Sequence, residues 1–168
     1  MKVIAVDPGI KGGWVQFDGE TVTAAGSVPL TGLSHVDCVQ MAQLIHGMDI
    51  VVLERQFASA QVGADTRLIN YGRLLGAAEV TLPTGRDGLV EIDAAFWRAS
   101  LGLPLRLPAD WSKKEGKEAT LAALVQLWER HAAAGHMAEG LASLPKRKRA
   151  LHDGILAAHA IGRRVVSG

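Results

Sequence analysis

The sequence predicts an α/β domain: a mixed five-stranded sheet, three antiparallel strands followed by parallel ones, flanked by helices. Three observations carry this expectation. Two short runs rich in Val and Ile, Lys2–Asp7 and Asp49–Glu54, have the near-continuous apolar interior of strands buried on both faces. Between them lies a hairpin signal, Asp18-Gly19, joining two further strand-like segments. After residue 54 the pattern changes to helical runs interrupted by one more short apolar run. The 168 residues, 48% hydrophobic and 21% charged, suit one domain with a sizeable core spanning 1–168.

The elements follow in order. Lys2–Asp7 ends in Asp-Pro-Gly and reads as a strand and a turn. Gly12–Phe17 and Thr21–Val28 complete an antiparallel trio. Ser34 is a candidate N-cap for a helix over about 35–47, with Val36, Val39 and Ile45 on its apolar face. The buried strand Asp49–Glu54 comes next, then a helix near 65–79. A turn, Thr84 to Gly88, precedes a strand at Leu89–Ile92 and a short helix over 94–101. Pro104 and Pro108 mark a loop; helices are expected over Lys117–Ala133 and from about 149 to 166.

Composition removes several function classes. No apolar run reaches the roughly 18 residues of a membrane span, and MKVIAVDPG lacks a secretory pattern. Cys38 is the single cysteine, which rules out an internal disulfide and any cysteine-cluster metal site, and a reducing, cytoplasmic setting is expected. The net charge of +1 conceals late basic runs: Lys113, Lys114 and Lys117; Lys146, Arg147, Lys148 and Arg149; Arg163 and Arg164. One such run is ordinarily a solvated face. Three runs around one candidate acidic site point to a phosphate-backbone footprint.

Asp7 and Glu54 each end a buried strand. If those strands are parallel neighbours, both carboxylates emerge at one sheet edge, where they repel each other and resist desolvation. A divalent cation with oxygen ligands resolves the conflict; the plainer alternative is two polar strand stops. Asp153 opens the last helix, and Ala157 and Ala160 share its face, so that helix can approach the sheet closely. Alone, Asp153 would read as a first-turn acid complementing the helix dipole. Together the three suit two-metal phosphodiester hydrolysis, with ions roughly 4 Å apart and Asp7 placed to bridge them.

The same residues carry a family resemblance. MKVIAVDPGIKGG resembles the opening motif of the RuvC-type Holliday-junction resolvases, members of the RNase H-like fold. VVLERQFASAQVGADTRLINYGRLLGAAEV is similar to their second block, KEGKEATLAAL to their lysine-bearing helix, and HDGILAAHAI to their C-terminal acidic helix. The match runs the length of the chain in order. It implies a homodimer that binds four-way DNA junctions and nicks opposing strands with two Mg²⁺ ions, or Mn²⁺, in recombination and repair. Asp7, Glu54 and Asp153 would be catalytic. Phe57 would stack on the opened junction centre, as a base face stacks on an exposed ring; Arg55, Gln56 and Lys117 would also face DNA. The run Lys146–Arg149 looks more like short, phage-type members, which extends the expected setting to a phage-infected bacterial host.

One position departs from the family. Where its members carry a second acid or a histidine three residues before the last aspartate, this chain has Ala150. Three carboxylates and water hold the second ion, or His152 assists from about 100° around the helix, or the site is weakened to a branched-DNA-binding module. Trp14, Trp97, Trp111 and Trp128 read as core or dimer-interface residues, and His159 as packed. His131 and His136 lack the further spaced Cys or His pair of a zinc site. Asp7-Pro-Gly-Ile-Lys-Gly-Gly is also similar to the first phosphate loop of actin-like ATPases, whose second lobe 168 residues cannot hold.

Overall fold

The structure, a computed structural model, describes residues 1–56, 64–104, 108, 111–146 and 153–167. Its strands are β1 (Lys2–Val6), β2 (Gly13–Asp18), β3 (Thr21–Ser27), β4 (Leu30–Thr31), β5 (His35–Val36), β6 (Ile50–Glu54) and β7 (Leu89–Ile92). Its α-helices are α1 (Cys38–Ile45), α2 (Ala64–Thr81), α3 (Ala94–Ser100), α4 (Lys113–Ala133) and α5 (Asp153–Val166). The main sheet has the order β3-β2-β1-β6-β7. β1, β2 and β3 pair antiparallel, whereas β6 is parallel to β1 and β7 to β6. This is the mixed sheet expected from the sequence.

Alternation along the two apolar strands divides the core. Val3, Ala5 and Val52 face one cluster with Trp128, Leu156 and Ile161 from α4 and α5. Ile4, Val6, Val51 and Leu53 face the other, with Met41, Ile45 and Leu74 from α1 and α2. Both faces of β1 and β6 are therefore covered, which is why neither strand shows a polar alternation. α5 is buried at every residue from Gly154 to Gly162, because the sheet lies on one side and α4 on the other.

Two expectations need correction. The first helix does not start at Ser34, whose hydroxyl bonds His35 Nδ1 at 3.1 Å. His35 and Val36 instead pair with Leu30 and Thr31 as a small hairpin, held to α2 because Asn70 Oδ1 accepts from the Val36 N–H at 3.0 Å. Asp37 is the cap, accepting from the Val39 and Gln40 N–H groups at 3.0 Å each. Val39 consequently lies 69% exposed, and Met41 and Ile45 form the buried face. α4 begins one turn earlier than Lys117 because Ser112 and Glu115 close a capping box. Lys113 thereby becomes helical and shares a face with Lys117, four residues on. The last helix is described from Asp153; the expected start near 149 lies outside the described residues. Among those residues, no helix is long and apolar enough to cross a membrane.

Candidate active site

Parallel pairing of β1 with β6 sets Val6 opposite Leu53. Asp7 and Glu54, the next residues along, leave the sheet at the same carboxyl-terminal edge, where open α/β sheets bind ligands. Both line a cleft of about 610 Å³ together with Asp153, Lys11, Lys113 and Lys117. Burial pushes the Asp7 carboxyl up to about 6, against a backbone hydrogen bond from Gly9 that lowers it. Glu54 is pushed up to about 7, first by burial and then by the charge of Asp7. The Trp97 indole N–H and the Arg98 charge pull it back part of the way.

Asp153 reaches this edge because glycines let backbones touch. Gly154 pairs with Gly12 of the β1–β2 turn as an isolated bridge. A Cβ on Gly154 would stand 2.5 Å from the Gly12 carbonyl carbon and the Lys11 oxygen, and one on Gly13 would stand 2.3 Å from the Ile155 nitrogen. The expected small face holds as well, since Ala157 and Ala160 are both buried. Asp153 Oδ2 lies 3.9 Å from Lys117 Nζ, and its Oδ1 is buried without a hydrogen-bond partner. Among the described residues, no three His, Cys, Asp or Glu side chains converge tightly enough to enclose a single ion. The arrangement is a repelling carboxylate pair with a third acid across the cleft. Hard oxygen donors, two of them raised by burial and one with an orphaned oxygen, fit a divalent cation.

The other candidate residues are distributed unevenly. Lys113 and Lys117 line the cleft, whereas Lys114 is exposed and pairs with Glu118 at 3.9 Å. Arg55 is turned to β7, 3.8 Å from Glu91 and 3.6 Å from Asp93, and Gln56 is half-buried. Lys146 ends the 3-10 helix Leu141–Lys146, and its side chain is outside the description. Phe57, Arg147, Lys148, Arg149, Ala150 and His152 lie outside the described residues. The third basic run does not flank the site. Arg163 donates to His131 at 3.2 Å and Arg164 stacks 4.5 Å over Phe96, at the far end of α5 from Asp153.

Sequence reasoning missed two features. Trp97, read as core or interface, is buried yet lines the cleft beside Glu54, and Arg98 follows it there. Tryptophan in a short amphipathic helix carries no signal that separates the two roles. The fold also brings His131 of α4 and the nearby His136 against His159 of α5. Arg163 Nη1 donates to His131 Nε2, so His131 Nδ1 carries the hydrogen and donates to His159 Nε2 at 2.8 Å. Burial and neighbouring positive charge hold His131 down to about 4 and His159 down to about 3, so both are neutral near pH 7.

The layer order and the acids at the edge of β1 and β6 define an RNase H-like α/β fold. Two solved structures are similar over all of this chain and 97% of theirs: Thermus thermophilus RuvC, at 17% identity and TM-score 0.55, and T. thermophilus RuvC in complex with a Holliday junction substrate, at 16% and 0.55. The fold is therefore RuvC-like. No family model and no curated protein sequence matches the chain.

Proposed function

We propose that this protein is a divalent-metal-dependent endonuclease that nicks branched DNA, four-way junctions above all. The observation that carries the reading is the pair Asp7 and Glu54 on adjacent parallel strands, facing Asp153 across one cleft rimmed by Lys11, Lys113 and Lys117. Asp7, Glu54 and Asp153 would hold the ions. When bound, divalent cations supply activation of the attacking water and neutralisation of the charge on the leaving 3′ oxygen. Lys113 and Lys117, on one face of α4, hold the phosphates flanking the cut, and Lys117 exchanges its contact with Asp153 for a phosphate oxygen. The junction as substrate is carried over from the solved complex that this fold resembles.

Paired nicks need two active sites, and the reading includes a homodimer. On α2, Ile69, Gly72, Gly76 and Val80 share one face; Ile69 and Val80 are 48% and 84% exposed, and a Cβ on either glycine would meet nothing within 4 Å. Glycine inside a helix costs about 1 kcal/mol relative to alanine, and among the described residues no neighbour requires it at these two positions. Close approach of a second α2 would.

The test is cleavage of a labelled synthetic four-way junction with Mg²⁺, with Mn²⁺ and without metal, beside the Asp7→Asn variant. Metal-dependent, paired, symmetrical nicks that vanish in the variant support the reading. Tight junction binding without cutting under either metal selects a branched-DNA-binding module, with Ala150 as the departure that accounts for it. Absence of both overturns the proposal.

A further inference from the structure

The cleft is larger than a metal centre needs. Its volume of about 610 Å³ lies within the range of about 300–1,000 Å³ over which pockets take whole small molecules. Its lining divides in two. Asp7, Glu54 and Asp153 with Lys11, Lys113 and Lys117 form a charged rim, whereas Trp97, Leu121, Leu124 and Ala157 form an apolar floor supplied by α3, α4 and α5. The division runs along α4 itself: positions 113, 117, 121 and 124 share one face at helical spacing, and that face changes from lysine to leucine. Leu124 stands about 10 Å along the helix axis from Lys117. α5 repeats the change, from Asp153 to the buried Ala157 one turn on. Polar atoms break the floor at one side. Trp97, 5% exposed, has no partner for its indole Nε1 among the described residues, and Arg98 beside it has none for Nε. Arg98 Nη2 donates to Thr120 Oγ1 at 3.4 Å, which ties the guanidinium to α4 within the cleft. Buried donors are ordinarily paired, so two neighbouring ones without acceptors call for an explanation.

We propose that the cleft takes one nucleobase of the cut strand out of the stack and lays it against Trp97, Leu121, Leu124 and Ala157, while the neighbouring phosphate stays at the rim. The proposal rests on the endonuclease reading above and adds a base-binding subsite to it. A nucleotide has the polarity of the cleft: a phosphate for the lysines, and a flat apolar face for the floor. Two donors without acceptors fit a base edge that carries a carbonyl oxygen or a ring nitrogen. Unstacking costs least where pairing is already broken, so a branch point supplies such a base more readily than an intact duplex does. The floor thereby helps to select where the strand is cut, and Leu121, half-buried on it, is a specificity-determining residue.

The experiment uses full-length protein and a labelled synthetic four-way junction in which an abasic nucleotide replaces each base around the branch point in turn. Leu121→Trp fills the floor without altering the acids or the lysines, and is expected to keep wild-type Mn²⁺ binding, read by electron paramagnetic resonance. At one position, beside the cleaved phosphate, base removal is expected to slow wild-type cleavage about 10-fold or more, as for the loss of a base stacked on the protein. In Leu121→Trp the intact junction is expected to be cut as slowly. Base removal at that position should then cost nothing further, while losses at other positions add. Leu121→Ala, which strips the floor instead of filling it, is expected to show the same non-additivity and serves if Leu121→Trp does not fold. Wild-type cleavage that no single abasic position slows, or losses that add at every position in the folded variant, overturns the inference and leaves the floor a part of the core. Wild-type protein that binds the junction without cutting overturns the nuclease reading instead, and the same cycle read in junction Kd then decides the base subsite. Protein that binds no branched DNA overturns both.

Discussion

Gly154→Ala separates the placement of Asp153 from its chemistry. The new Cβ would lie 2.5 Å from the Gly12 carbonyl carbon and the Lys11 oxygen and 2.6 Å from the Gly13 nitrogen, where ordinary contact begins at 3.4 Å. All three neighbours are backbone atoms, so no rotamer change relieves the overlap, and the start of α5 must retreat by about 0.9 Å. Overpacking of this kind costs about 1–3 kcal/mol, and alanine's helix propensity returns up to about 1. In a domain of this length 1 kcal/mol corresponds to about 2–4 °C, so a net cost of up to about 3 kcal/mol lowers the melting temperature by up to about 12 °C. Asp153 travels with the helix, and a displacement of about 1 Å at a reacting centre costs on the order of 100-fold in rate. The assay is metal-dependent cleavage of a labelled junction beside thermal melting, with Asp153→Asn as comparison. That variant is expected to lose cleavage with no fall in melting temperature, since it removes a carboxylate that is partly buried. A Gly154→Ala protein with wild-type melting and wild-type cleavage would refute the claim that backbone contact at Gly12 and Gly154 sets the site.

Other perturbations test separate parts of the structure. Lys117→Met breaks a long ion pair between an exposed lysine and a partly buried carboxylate, so stability should change by less than about 1 kcal/mol. Junction affinity should weaken, and its salt dependence should lose about one unit of slope. Gly76→Arg places a long cation on the proposed self-association face; light scattering should report a monomer, and paired nicking should give way to single nicks. Stability against pH combines two opposed contributions. Asp7 and Glu54, raised in the folded state to about 6 and about 7, bind protons there that the unfolded chain releases, so without metal they destabilise progressively as pH rises from about 4 to 7. His131 and His159, lowered to about 4 and about 3, do the reverse: the unfolded chain takes up protons first, and stability is lost as pH falls below about 6.5. The Asp7→Asn, Glu54→Gln double variant should therefore be more stable than wild type at pH 8 without metal. Its unfolding free energy from urea titration should rise with pH between about 4 and 6.5, by up to about 1.4 kcal/mol per pH unit for each histidine.

The layer order, the sheet and two of the three acids were legible because each is written locally. A strand covered on both faces must be apolar throughout, so Lys2–Val6 and Ile50–Glu54 announce themselves, and an acid at the end of such a run stands out. Caps were less legible. Ser34 and Asp37 both offer a side-chain oxygen, and only the pairing of His35 with Thr31 decides that the helix waits for Asp37. The start of α4 is written in the sequence, as Ser112 and Glu115 at the spacing of a capping box, but the lysines between them carry no apolar periodicity to mark it.

What the sequence by itself determined is the set of residues able to do chemistry and the two buried strands that end in Asp7 and Glu54, since apolar runs and strand ends are properties of neighbours in the chain. What only the tertiary structure decided is which remote side chains meet. Arg163 and Arg164 look like part of a DNA-binding run, but packing commits them to His131 and Phe96. Trp97 looks like core and lines the cleft that holds Glu54; His131, His136 and His159, separated by up to 28 residues, gather in one cluster with His136 at its partly exposed edge. Such contacts depend on the rotation of each helix against the sheet. That rotation is settled by close packing over the whole interface, down to the single missing Cβ atoms of Gly12, Gly13 and Gly154.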